Sequence, residues 1–165
     1  MTQWYKVNIK FQKEDQAGSL KTITEQYLFD ALSFTEAEAN GYNRIETGVM
    51  DFSVTSISKM RLADVFTFPE GQEWYLVKVV YLTVDEKSGK EKKTVNRILV
   101  NADGIFQALE RVTESMRHTL MPYEVTDIYQ TPILEVFPYQ SSEEETPDNL
   151  RLMSDVLNDP SHNVF

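Results

Sequence analysis

The chain is an internal duplication, and no other feature constrains its fold as tightly. Its two tryptophans, Trp4 and Trp74, are each followed by tyrosine and lie 70 residues apart. At that spacing Val7 matches Val77, Ile9 meets Val79, Phe11 meets Tyr81 and Thr24 matches Thr94. A one-residue insertion placed near Gly104 moves the spacing to 71. There Ala37 matches Ala108, and Val54-Thr55-Ser56-Ile57 matches Val125-Thr126-Asp127-Ile128. Ala63-Asp64-Val65-Phe66 likewise matches Leu134-Glu135-Val136-Phe137. A collinear series with one gap marks a repeated unit. The first copy spans 1–68, the second 74–139, and a tail follows over 140–165.

Each copy reads as β-β-α-β-β. Alternation predicts strands over 4–12 and 74–84, with Tyr5, Val7, Ile9 and Phe11 on the core side. Tyr75, Val77, Val79 and Tyr81 take the same side in the second copy. Turns at Gly18 and at Ser88-Gly89 lead to second strands over 20–30 and 93–101. Ser33-Phe34-Thr35-Glu36 is a capping box that starts the first helix, with the Glu36 carboxylate expected to return the bond. Asp103 is the expected N-cap of the second, whose apolar stripe is Ile105, Ala108, Leu109, Val112, Met116 and Leu120. Third strands are expected over 52–59 and 123–130, with short fourth strands, 62–66 and 133–137, pairing beside them. The fold class is therefore α+β: tandem units whose antiparallel strands form two pseudo-symmetric sheets or one continuous sheet, each unit with one covering helix. The short connection over 67–73 predicts that the copies pack as one domain.

Chemistry is sparse. With no cysteine, disulfides, thiolate metal sites and cysteine nucleophiles are excluded. No phosphate-binding glycine loop, nucleophile elbow or His-Glu-x-x-His is present. No cofactor or metal is expected, and the chain does not read as an enzyme. His118 lies near a helix C-terminus, where the dipole favours a cation. Asp85, Glu91 and Lys93 have the composition of a nuclease metal site, but they span the tip of a charged hairpin and read as a solvated turn. The basic start and apolar core of a secretory signal are missing, as is any apolar run long enough to span a bilayer, so a cytoplasmic location is expected.

The binding candidates lie on the strands. Trp4, Lys6, Asn8 and Lys10 share the face opposite Tyr5, and Trp74, Leu76, Lys78 and Val80 share its counterpart. On the second strands Tyr27 aligns with Arg97 at a spacing of 70. Rings interleaved with cations suit single-stranded DNA or RNA: bases stack while amines meet phosphates. The candidate nucleic-acid residues are Trp4, Lys6, Lys10, Tyr27, Trp74, Lys78 and Arg97. The competing reading buries both tryptophans where the copies meet.

Charge argues against indiscriminate polyanion binding, since the net value is -10. Half of it lies in 140–165, where six acids, among them Glu143, Glu144 and Glu145, face the single base Arg151. Leu150, Met153 and Leu157 could line one helical face there, His162 reads as a solvated side chain, and the chain closes on Phe165. An acidic tail with a terminal aromatic can occupy the protein's own basic groove or recruit partner proteins. In that respect it resembles the tails of bacterial and phage single-stranded-DNA-binding proteins.

Two wider resemblances follow. Trp4-Tyr5, the run Tyr27-Leu28-Phe29-Asp30-Ala31-Leu32-Ser33-Phe34-Thr35-Glu36-Ala37-Glu38-Ala39 and Val136-Phe137-Pro138-Tyr139 resemble an uncharacterised family of small proteins from gut Bacteroidetes and their phages. That family brings no established activity. The shifted order, β-β-β-β-α from Phe52 to Leu120, is similar to the whirly and Pur-alpha folds, which bind single-stranded nucleic acid. Two functions are thus expected in order: a non-enzymatic single-stranded nucleic-acid-binding protein, phage-encoded and replication-associated, then a protein-interaction or adaptor module. Exposed tryptophans beside lysines would favour the first, and tryptophans buried between the repeats the second.

Overall fold

The structure, a computed structural model, describes residues 1–44 and 50–139. The first repeat supplies β1 (Gln3–Glu14), β2 (Leu20–Ala31), α1 (Phe34–Tyr42), β3 (Met50–Lys59) and β4 (Asp64–Phe66). The second supplies β5 (Glu73–Val84), β6 (Glu91–Ala102), α2 (Ile105–Ser115), β7 (Tyr123–Thr131) and β8 (Ile133–Phe137). The α+β reading and the pairing of one helix with each repeat hold.

The fourth strands do not pair beside the third. They are exchanged between the repeats: one sheet has the order β3-β1-β2-β8 and the other β4-β6-β5-β7. β8 runs parallel to β2, with Phe137 opposite Phe29, and β4 runs parallel to β6, with Phe66 opposite Val100. The physical reason is that each third strand continues past a break into the opposite sheet. Met60 N–H donates to the Trp4 carbonyl at 2.9 Å, and Ala63 N–H to the Arg97 carbonyl at 2.7 Å, so the 60–63 segment is tied to both sheets. Pro132 makes the other crossing; there the buried Thr131 hydroxyl donates to the Trp74 carbonyl at 2.8 Å. The run β3-β4-β5-β6-α2 thus exists along the chain, but its four strands belong to two sheets.

Each sheet carries its helix on the face that alternation predicted. Tyr5, Val7, Ile9 and Phe11 pack with Ala37 of α1, and Tyr75, Val77 and Val79 pack with Ala108, Val112 and Met116 of α2. Gly41 lets α1 lie close to its sheet, since a Cβ there would come 3.1 Å from Val7 Cγ1. The α2 stripe is shorter than expected: Ile105 and Leu109 face solvent, and the helix ends before Leu120. The opposite faces of the sheets meet in a third core of Leu28, Trp74, Leu76, Leu99 and Ile133, flanked by Trp4, Met60, Leu62, Val65 and Val136.

Two local expectations differ. The Ser33 hydroxyl caps α1 by accepting from Glu36 N–H at 3.1 Å, but the Glu36 carboxylate does not return the bond. The N-cap of α2 is Gly104, not Asp103; Asp103 instead accepts from Gln72 N–H at 3.1 Å, anchoring the connection between the repeats.

Candidate binding cleft

The ladder registers locate the insertion between the copies more closely than residue matching does. Tyr5 lies opposite Phe29, and Tyr75 opposite Val100, so the spacing is already 71 on the second strands. The extra residue is in the hairpin: the turn from β1 to β2 spans 15–19, and that from β5 to β6 spans 85–90. Asp15 and Asp85 build the two turns alike, each accepting from the N–H two residues on. Asp85 also accepts from the Ser88 hydroxyl, so its carboxylate serves the turn.

A shift of one residue changes face along a strand. The counterpart of Arg97 is therefore Gln26, opposite Asn8 as Arg97 is opposite Lys78. Tyr27 belongs to the other face: it packs in the α1 core beside Phe137, and its hydroxyl donates to Glu25 at 2.5 Å. It cannot share a stacking surface with Trp4. Trp74 is only 8% exposed and is enclosed between the sheets. Lys78 is drawn toward Asp127 at 3.9 Å. Lys6 and Lys10 continue from Trp4 along β1 on the non-helical face, Lys6 half-buried and Lys10 exposed.

Two of the expected residues do come together. Trp4 and Arg97 line an open cleft of about 670 Å³ where the two sheets meet, with Thr2, Gln3, Asp30, Lys59, Met60, Arg61, Leu62, Ala63, Val95 and Asn96. Trp4 is half-buried there. Lys59 borders the cleft, but it lies opposite Tyr5 and so carries its side chain on the helix-covered face, with Nζ 5.6 Å from the Phe34 ring of α1. Among the described residues, Arg61 and Arg97 have no ion pair or side-chain hydrogen bond. Residue-level reasoning missed Arg61, because the crossing of β3 into β4 brings it to Trp4.

The pseudo-symmetric position lacks these charges. Lys59 lies opposite Tyr5 as Gln130 lies opposite Tyr75, so the counterparts of Arg61 and Arg97 are Pro132 and Gln26. Packing common to the two repeats does not require two arginines at one end and none at the other. The arrangement can bind an anion beside an aromatic ring.

No group of three or more histidine, cysteine, aspartate or glutamate side chains among the described residues is placed to hold a metal ion. No helix among them is long and apolar enough to cross a membrane. The expected tail contacts, Glu143, Glu144, Glu145 and Phe165, lie outside the described residues, as do Leu150, Met153, Leu157 and His162. No curated protein and no solved structure matches the chain. The family model described as a domain of unknown function, DUF4494, matches residues 3–139, and the chain belongs to that family.

Proposed function

We propose that the protein is a non-catalytic binding module that takes a short stretch of single-stranded nucleic acid into the cleft between its repeats. The observation that carries this reading is the one-sided charge of the cleft: Arg61 and Arg97 beside Trp4, with Asp30 as its one acid, against Pro132 and Gln26 at the positions related to the two arginines. The cations meet phosphates, and the accessible part of the Trp4 ring meets a base. Lys6 and Lys10 extend the track along β1. Trp74, Tyr27 and Lys78 have no part in it, because the first two serve cores and the third faces Asp127. The tail, with Glu143, Glu144, Glu145 and Phe165, competes for the cleft or recruits replication proteins. A phage-encoded, replication-associated setting follows the resemblance to proteins of gut Bacteroidetes and their phages.

A second reading, a protein-interaction module, has its own support. Trp74 is buried between the repeats, and Ile105, Phe106 and Leu109 of α2 are exposed, Phe106 to 89%. On this reading the cleft is incidental.

Fluorescence anisotropy of a labelled oligothymidine separates the two. The two cleft arginines together with Lys6 and Lys10 make four phosphate contacts and give a slope of log affinity against log salt of about -3, at roughly -0.7 per contact for single strands. Arg61→Ala and Arg97→Ala should each weaken binding and flatten that slope by about 0.7. Lys78→Ala should leave both unchanged. Absence of binding at low salt, or binding indifferent to Arg61 and Arg97, overturns the nucleic-acid reading.

A further inference from the structure

The cleft does not end at Arg97. Val95 lines it too, and from there β6 runs back into the second hairpin. Alternation fixes the faces. Ile98 and Val100 pack with α2, so Leu99, Arg97, Val95 and Lys93 share the opposite side of the strand. Leu99 is in the core between the sheets, Arg97 and Val95 are in the cleft, and Lys93 lies beyond them. At the rise of an extended strand, Arg97 and Lys93 are about 14 Å apart. Among the described residues, Lys93 has no ion pair or side-chain hydrogen bond. Across the ladder, Val80 lies opposite Val95, Leu82 opposite Lys93 and Val84 opposite Glu91.

This face is apolar where it is open to solvent: Leu82 is 37%, Val95 46% and Val84 65% exposed. The first hairpin shows that the fold does not require apolar side chains here. Lys10 lies opposite Thr24, Gln12 opposite Thr22 and Glu14 opposite Leu20. The counterparts of Leu82, Val84 and Val95 are therefore Gln12, Glu14 and Thr24. A contiguous apolar surface left in water, rimmed by cations, is what a binding surface presents.

We infer that the non-helical face of the β5–β6 hairpin carries the single strand onward from the cleft, with Lys93 taking a further phosphate and Val95 and Leu82 lying against the bases. The inference rests on the reading of the cleft as a nucleic-acid site and lengthens that site. Unstacked bases present flat faces that apolar side chains cover, whatever the base. Glu91 sets the limit of the track, because its carboxylate repels the next phosphate. Arg97 thus stands in the middle of the site, between Trp4 and the hairpin.

The test uses the full chain at low salt and labelled oligothymidines of about four and about ten nucleotides, lengths within the range of single-strand sites. Lys93→Ala should weaken the longer oligonucleotide several-fold and flatten its salt slope by about 0.7. Leu82→Gln places the residue of the first hairpin at this position. It should weaken the longer oligonucleotide several-fold with the slope unchanged, because the lost contact is not ionic. Neither variant should alter binding of the shorter one, which stays in the cleft. If both lengths bind and both variants behave as the unaltered chain does, the strand stops at the cleft; the inference then falls while the cleft reading stands. If neither length binds, both fall. A change in sedimentation coefficient on Leu82→Gln, with affinity for the longer oligonucleotide unchanged, also overturns the inference, because a second copy of the chain then covers this face.

Discussion

Single residues decide how the repeats hold together, and Asn101 is the clearest case. It is a buried amide at the end of a strand, 5% exposed, and its bonds to Phe68 and Gly71 satisfy it fully. Asn101→Ala leaves the Phe68 N–H and carbonyl without that partner and should cost about 1–3 kcal/mol in urea unfolding. The tryptophans were legible as a pair but not as different residues. Trp74→Ala opens the core between the sheets and should cost about 3–5 kcal/mol, while Trp4→Ala, at a half-buried position, should cost clearly less. Equal losses in the two variants would contradict the asymmetry on which the cleft reading depends. Tyr27 shows why residue matching has limits. One extra residue in a hairpin turn exchanges the faces of everything after it, and turn length outweighs the Thr24–Thr94 match.

At the scale of elements, alternation was sufficient to find β1, β2, β5 and β6, and on β1 and β5 it assigned the helix-covered faces correctly, whereas on β2 Tyr27 was placed on the wrong face. The exchange of β4 and β8 was not legible. A strand of three to five residues states which of its faces is apolar, but not which neighbour it will join, and a crossing depends on distant partners. The exchange has a direct consequence. A fragment ending at Phe68 keeps β4, whose pairing partner β6 is absent, and it lacks β8 to cover β2. Each half also loses its side of the inter-sheet core. By circular dichroism and amide exchange, neither 1–68 nor 69–139 should fold alone, and mixing them should restore the native signal. A cooperative unfolding transition in either half alone would show that the sheets are independent.

For the molecule as a whole, duplication supplies the scaffold and divergence supplies the candidate sites. One end of the pseudo-symmetric body has Arg61 and Arg97 beside a half-buried Trp4, and at the other the uncharged Pro132 and Gln26 take the related positions and Trp74 is enclosed. This contrast was latent in the sequence. It needed the hairpin-corrected register to align Arg97 with Gln26, and the strand crossing to bring Arg61 beside Trp4. The net charge of -10 means that nucleic acid is held only where cations are concentrated, so binding must be local and steeply salt-dependent. The most direct measurement is the emission of Trp4 in a Trp74→Phe variant, which keeps an aromatic ring in the inter-sheet core and leaves one reporter in the cleft. Titration with oligothymidine at low salt should quench that emission, and added salt should restore it. Unchanged Trp4 emission throughout the titration would contradict the cleft as a nucleic-acid site.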